Sequence, residues 1–209
     1  MPGSASNANL PKRNAKLANA DRHNLLWCSI VILATLLADQ ATKLWAVNNL
    51  QRGQSQPVLG DFLQFTLIFN EGGAMGTNFG SPVYYLVASS IVLVFLLWYL
   101  WSHRNNLAVA IPLSLIAGGA AGNIIDRIRY GEVIDFIDMD FFDITIGSFH
   151  LERWWAFNIA DMAISVSIVY LVFIGLFGHI GHHEHHEHDN HDNHTPEDPS
   201  EHPDNHRTD

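Results

Sequence analysis

Several carboxylate, amide and amine side chains are paired at helical spacing beside long apolar segments of this sequence. These pairs are Asp39 with Lys43, Asn123 with Asp126, and Asn158 with Asp161. Residues three or four apart on a helix share one face, so the members of each pair can act together. Two carboxylates that meet in a poorly hydrated place tend to share a proton. One can then act as a general base on water while the other donates a hydrogen bond to a carbonyl group.

Asp161 is the natural member of such a carboxylate pair, because it lies one turn inside an apolar segment. Spacing alone leaves the second member open. Its candidates lie in or just before the stretch GEVIDFIDMDFFD at residues 131–143, and they are Asp126, Asp135, Asp138, Asp140 and Asp143. The alternative interpretation is that the polar pairs only satisfy one another at a membrane interface, and it suits Asp39 with Lys43 best.

The elements that must position these residues are long apolar segments, which indicate a membrane protein. A bilayer core about 30 Å thick needs roughly 20 mostly apolar residues per helix. The 209-residue chain has four such blocks, at residues 25–47, 83–101, 107–126 and 157–178. The first is too long for the apolar core of a cleaved signal peptide, and three more follow it. The sequence therefore predicts an all-α membrane protein with four transmembrane helices.

Basic residues in short loops predict the orientation of these helices. Residues 1–23 contain Lys12, Arg13, Lys16 and Arg22, and the hinge at residues 102–106 adds Arg104. Both regions are therefore expected on the cytoplasmic side, together with the C-terminus. The three polar pairs then all lie at the outer face of the membrane. Because charged groups at membrane depth are costly, their clustering predicts a functional site there.

The segments between the spans predict a small β-sheet on the outer surface. Residues 63–69 read LQFTLIF, in which Leu63, Phe65, Leu67 and Phe69 share one face of a strand. Residues 127–156 are too long for a simple turn. In the third span, the sequence GGAAG at residues 118–122 places small residues four apart, which allows close helix packing.

Composition excludes several other kinds of site. Cys28 is the only cysteine, so an intrachain disulfide and a thiolate metal cluster are excluded. The net charge of -10 comes mostly from the C-terminal tail and from residues 131–143. It therefore says little about the partner of the apolar core, and nothing indicates nucleic-acid binding.

The tail at residues 179–209 holds most of the chain's 13 histidines among acidic residues, asparagine and proline. Such a composition cannot bury a core, and it predicts a disordered cytoplasmic tail. Its closely spaced imidazoles could bind zinc, nickel or copper weakly. A purely solvated tail is an equally good interpretation, and no catalytic role is assigned to it.

Five motifs in this sequence resemble those of one family, lipoprotein signal peptidase, also called signal peptidase II. They are DQATK at residues 39–43, NEGGA at 70–74, GGAAGNIIDR at 118–127, VIDF at 133–136 and FNIAD at 157–161. They occur in the family's order and on four spans. The resemblance covers about residues 24–178 and omits both ends of the chain.

The resemblance implies a role for each motif residue. Asp135 and Asp161 would be the catalytic dyad, and Asn70 and Arg127 would hold the substrate backbone. The remaining motif positions would support the site or the fold, and they are Asn123, Asn158, Asp39, Lys43 and Asp126.

The family's activity is the removal of the signal peptide from prolipoproteins, on the N-terminal side of a cysteine that carries diacylglycerol. The resemblance places this reaction at the outer leaflet of the bacterial inner membrane, without a metal or nucleotide cofactor. It therefore implies precursor lipoproteins and membrane lipid as partners. The chain would divide into a cytoplasmic segment at 1–23, a peptidase domain at 24–178 and the tail at 179–209.

Two departures from the family's pattern matter. Gly73 stands where alanine is expected, a small change that loosens the turn. Residues 139–156 make the segment between Asp135 and Asp161 longer than expected, and this extra length could form a hairpin or a lid.

The competing hypothesis is a four-helix transporter or metal-handling protein, in which buried acids relay protons or bind cations. Such a protein should carry polar groups through the membrane midplane. Residues 91–97 and 166–173, in the middle of the second and fourth spans, contain no Asp, Glu, Lys, Arg or His. The peptidase hypothesis is therefore preferred.

Overall fold

The computed structural model describes residues 10–72, 80–140, 144–146, 149–151 and 155–177. Its elements in chain order are α1 (Leu10–Asn49), β1 (Ser55–Leu59), β2 (Leu63–Asn70), α2 (Pro82–His103), α3 (Leu107–Tyr130), β3 (Val133–Met139), β4 (Ile144–Ile146), β5 (Phe149–Leu151) and α4 (Ile159–Phe177). Contacts divide the chain into one unit at residues 1–172, which holds all the polar motifs, and a second at 173–209.

Four helices are long and apolar enough to cross a membrane, as the sequence predicts. The spans are Asp21–Asn49, Pro82–His103, Leu107–Tyr130 and Ile159–Phe177. The helix α1 begins earlier than its span, because residues 15–18 are good helix formers and Pro11 is tolerated in a first turn. The helix α3 ends at Tyr130, later than the predicted span, and Gly131, whose φ is 73°, forms its left-handed cap. Arg127 therefore lies within α3.

The glycines of α3 let two other helices approach closely. A Cβ at Gly118 would lie 2.7 Å from the backbone oxygen of Ile32 in α1, and one at Gly119 would lie 2.8 Å from the backbone oxygen of Ala160 in α4. A Cβ at Gly122 would overlap the carboxylate of Asp39. The predicted close packing at residues 118–122 is confirmed.

A three-stranded antiparallel sheet, in the order β1-β2-β3, packs against the C-terminal end of α1. The core between them consists of Ala46 from α1, Leu50 directly after α1, and Leu67, Ile134 and Phe136 from the sheet. The predicted strand at residues 63–69 is confirmed as β2. Because β2 pairs with β3 in a register that sets Ile68 opposite Asp135, the sheet carries Asp135 to the end of the helices.

The longer segment after β3 contains an extra hairpin, as one of the two sequence alternatives predicts. The strands β4 and β5 pair antiparallel, with Thr145 opposite His150. Asp143 and Gly73 lie outside the described residues. A lid function for this hairpin stays a prediction.

Candidate active site

Asp135 lies in the middle of β3 and is only 3% exposed. Two side-chain amides hold its carboxylate. Asn70 Nδ2 donates to Asp135 Oδ2 at 3.1 Å, and Asn158 Nδ2 donates to Asp135 Oδ1 at 2.7 Å. Asn70 reaches this position because it ends β2, the strand that pairs with β3. The carboxylate is therefore shielded from water yet fixed in direction.

Asp161 lies in the first turn of α4, and Asn158 precedes that helix. The two residues form a reciprocal cap, in which Asp161 N donates to Asn158 Oδ1 at 2.9 Å and Asn158 N donates to Asp161 Oδ2 at 3.2 Å. Asn123 Nδ2 from α3 donates to the other oxygen, Asp161 Oδ1, at 3.0 Å. A helix N-terminus also stabilises a negative charge. Both carboxylate oxygens of Asp161 therefore accept hydrogen bonds at the start of α4.

Asn158 joins the two aspartates, because its side chain contacts one and its backbone contacts the other. Burial, and then the negative charge of Asp161, raises the pKa of Asp135 to about 7. The amides of Asn70 and Asn158 lower this pKa, as does the positive charge of Lys43, but they do not offset the burial. The site therefore pairs a carboxyl group whose pKa is raised to about 7 with a second carboxyl group that is held by hydrogen bonds at a helix N-terminus.

A buried ionic network lies behind the two aspartates. Lys43 Nζ lies 2.9 Å from Asp39 Oδ2 and 2.6 Å from Asp126 Oδ2, and the three side chains are at most 2% exposed. Lys43 also donates to Asn123 Oδ1 at 2.7 Å. Gln40 donates to Asp126 Oδ1 at 3.0 Å. The network therefore joins α1 to α3 at the level of the site.

Arg127 lies at the entrance of the site. Its Nη2 donates to the backbone oxygen of Gly72 at 3.2 Å, and its guanidinium lies 6.0 Å from the ring centre of Tyr85 in α2. The guanidinium is also attracted electrostatically to Asp161 and Asp135. The cleft beside Asp135 has a volume of about 330 Å³ and is lined by Ile68, Phe69, Asn70, Glu71, Gly72, Asp135, Trp155 and Ala156.

The other candidate aspartates have different surroundings. Asp126 belongs to the Lys43 network. Asp138 lies an odd number of positions beyond Asp135, so it points to the other face of β3, where Thr66 Oγ1 donates to it at 2.8 Å. Asp140 follows β3, and its backbone N–H donates to the carbonyl of Phe62. Among the described candidates, only Asp135 is brought to Asp161.

Two residues at the site were missed by the sequence predictions. Gln40 belongs to the DQATK motif, so its place beside Asp39 was available as a signal. Tyr85 gave no signal, because one aromatic residue in an apolar span resembles its neighbours. In the described part of the chain, no group of three or more His, Cys, Asp and Glu residues could hold a metal ion.

The sequence matches the family model of Signal peptidase (SPase) II over residues 31–177. The chain belongs to the signal peptidase II family. It is therefore a protease, and its four spans fit a multi-pass protein of the bacterial inner membrane. The resemblance seen in the five motifs is confirmed.

Related signal peptidases are 35% to 42% identical to this chain over the matched residues. The lipoprotein signal peptidase of Syntrophus aciditrophicus is 42% identical over 142 aligned residues, and the match covers 65% of this chain and 83% of the relative. That of Lactococcus lactis is 37% identical and covers 68% of this chain and 88% of the relative. That of Cupriavidus taiwanensis is 35% identical over 175 residues and covers 82% and 94%.

Solved structures show the same fold. A bacterial membrane enzyme determined by the in meso method at 2.3 Å resolution is 28% identical, with a TM-score of 0.64, over 75% of this chain and 92% of that chain. A second, at 1.9 Å resolution, is 30% identical with a TM-score of 0.59, over 71% and 92%. The comparisons do not support a transporter or metal-handling protein, nor metal binding by the histidine-rich tail, which lies outside the described residues.

Proposed function

We propose that this signal peptidase II removes the signal peptide from diacylglyceryl-modified prolipoproteins, with Asp135 and Asp161 as its catalytic dyad. The observation that carries the proposal is the arrangement of these two carboxylates. Both are held by Asn158, and Asp135 lines the cleft. Asp135 is buried deeply enough that its pKa rises to about 7, and Asp161 lies in the first turn of a helix.

The proposed reaction uses the two carboxyl groups in different ways. Asp161 takes a proton from a water molecule while the water oxygen attacks the carbonyl carbon before the lipidated cysteine. Asp135 donates its proton to the carbonyl oxygen, so a neutral tetrahedral intermediate forms. Asp161 then transfers its proton to the cysteine nitrogen while a hydroxyl group of the intermediate returns a proton to Asp135, so the C–N bond breaks and both aspartates regain their starting states. The products are a signal peptide with a new carboxyl group and a lipoprotein with a free amino group.

Other polar residues would hold the substrate and the dyad. Asn70 and Arg127 lie on either side of Gly72 at the cleft, where they can bind a peptide backbone. Asn123 and Asn158 hold the dyad directly. Asp39, Lys43 and Asp126 support these residues from behind.

The proposed orientation puts both termini in the cytoplasm and the dyad near the outer face of the membrane. The basic residues of the N-terminal segment and Arg104 favour it. An ion pair of 3.8 Å between Asp21 and Arg104 sets the start of the first span beside the end of the second. The chain would then comprise a cytoplasmic segment (1–23), the peptidase domain (24–178) and a cytoplasmic tail (179–209).

Substitution of either dyad residue tests the function. In cells that lack their own enzyme, Asp135→Asn and Asp161→Asn should leave a diacylglyceryl-modified precursor uncleaved, because an amide can neither take nor give the required proton. Gel mobility of the precursor reports cleavage. Asp138→Asn is the matched control, since it changes the same strand on its other face and should retain cleavage. Full cleavage of the precursor by either dyad variant would contradict the assignment of Asp135 and Asp161 as the catalytic dyad.

A further inference from the structure

Lys43 contacts the residues that hold both members of the proposed dyad, although it lines no part of the cleft. Its ammonium group has three hydrogens and three close acceptors, which are Asp39 Oδ2, Asp126 Oδ2 and Asn123 Oδ1. Each of these three acceptor residues also hydrogen-bonds either to an aspartate of the dyad or to the residue directly before one. Lys43 is therefore the common point of three paths to the reacting groups.

Two of these paths pass through backbone N–H groups. Asp39 Oδ1 accepts a hydrogen bond from Ala160 N at 3.0 Å, and Ala160 directly precedes Asp161. Asp126 Oδ2 accepts one from Ile134 N at 3.3 Å, and Ile134 directly precedes Asp135. Each buried carboxylate thus holds the residue before one member of the dyad.

The third path fixes the direction of an amide. A lysine ammonium can only donate hydrogen bonds, so the oxygen of the Asn123 amide must face Lys43. The NH₂ group is then left to donate to Asp161 Oδ1 at 3.0 Å. The opposite orientation would place an amide oxygen against the Asp161 carboxylate. Asn158 Nδ2 donates to the same Asn123 oxygen at the longer distance of 3.2 Å. Lys43 is therefore the closer of two donors that turn the Asn123 NH₂ group, and not its oxygen, toward Asp161.

We propose that Lys43 is a positioning residue for peptide cleavage, which orients the Asn123 amide and through it the carboxylate of Asp161. This inference rests on the proposed dyad. Stability alone does not account for the network, because replacing buried ion pairs with apolar residues of similar size often leaves proteins as stable or makes them more stable. A role in positioning the reacting groups explains why two acids and a base are buried at this depth.

A double-mutant cycle of Lys43→Met and Asn123→Ala tests the proposal with the purified full-length enzyme and a diacylglyceryl-modified precursor peptide. Each single substitution should lower kcat about 10- to 100-fold, the effect of one lost hydrogen bond to a charged group, with KM changed less than about threefold. Because both act through one amide, the double variant should be no slower than the slower single variant. Multiplication of the two effects, or a rise in KM with kcat unchanged, would overturn the proposal.

A charge-neutral variant separates positioning from folding. Asp39→Asn/Lys43→Met/Asp126→Asn keeps oxygen acceptors for the Ala160 and Ile134 N–H groups, and it removes the unpaired charges that Lys43→Met alone would leave. It should melt near the temperature of the parent enzyme while kcat stays low. Recovery of full kcat would show that Lys43 only balances charge. If Lys43→Met does not fold, the charge-neutral variant replaces it in the cycle and is combined with Asn123→Ala. Activity of Asp161→Asn would refute the dyad itself, which is a separate outcome.

Discussion

At the scale of single residues, the proposed reaction depends on one carboxyl group that can still donate a proton as the pH approaches 7. Burial raises the pKa of Asp135 to about 7, and the charge of Asp161 acts in the same direction. Asn70 acts against this rise, since its amide donates to the ionised carboxylate. If Asp135 must donate its proton to the substrate carbonyl, activity should fall as the pH rises through about 7.

Removal of the Asn70 amide should change the pH at which activity falls. In Asn70→Ala the carboxylate of Asp135 loses a donor, so its pKa rises and the alkaline limb of kcat/KM should move up by about 0.5 to 1 pH unit. The measurement is the pH dependence of precursor cleavage by the purified enzyme. Asn48→Ala, at an exposed position of α1, is the control and should leave the limb in place. A downward shift or none in Asn70→Ala would contradict the assigned role of Asp135.

At the scale of elements, the site forms where α1, α3, β3 and α4 meet, and glycines in α3 set how closely they meet. The position of Gly122 is the most sensitive, because a Cβ there would overlap the Asp39 carboxylate. Asp39 would then have to move away from Lys43 and from Ala160 N. Packing between two helices is thus coupled to the orientation of α4, which carries Asp161.

Gly122→Ala should therefore lower both stability and activity. Overpacking in a tight interior costs about 1–3 kcal/mol, so we expect a lower melting temperature and at least a tenfold loss of kcat. Thermal unfolding in detergent and precursor cleavage are the two measurements. Gly175→Ala is the matched control, because a Cβ there meets no atom within 4 Å and the melting temperature should not change. Equal activity of Gly122→Ala and the parent enzyme would contradict this coupling.

Sequence patterns predict the elements better than they predict the contacts between elements. Apolar blocks reveal the four helices because each span must be apolar along its own length. The strand β2 is revealed by large apolar residues at every second position. The choice of Asp135 over Asp138 depends on which face of β3 meets α4, a long-range property that local composition does not encode. Family motifs supplied that choice. Spacing predicts the pair of Asp39 and Lys43, but the contacts of Lys43 with Asp126 and Asn123 join two helices and were visible only in three dimensions.

At the scale of the whole molecule, the four spans and the basic residues near one end give an expected orientation in the membrane. The dyad lies at the opposite end from the pair of Asp21 and Arg104. This arrangement would present the dyad to precursors whose lipid lies in the outer leaflet. The N-terminal segment and the tail would then both remain in the cytoplasm.

Cysteine labelling tests this orientation. A single cysteine is introduced at exposed Gln54 or at exposed Asn105 in a Cys28→Ser background, and intact spheroplasts are treated with a membrane-impermeant maleimide. Gln54→Cys should be labelled directly, whereas Asn105→Cys should be labelled only after lysis. Labelling of Asn105→Cys in intact spheroplasts would contradict the proposed orientation.

The central claim is that Asp135 and Asp161 act as one catalytic unit, and kcat of the two single variants and the double variant tests it most directly. With purified enzyme and a diacylglyceryl-modified precursor, Asp135→Asn and Asp161→Asn should each lower kcat by about 10⁴-fold or more, as losses of residues that act together do. The double variant should be no slower than either single variant. A single variant within tenfold of the parent enzyme, or a double variant slowed by the product of the two single effects, would contradict the claim.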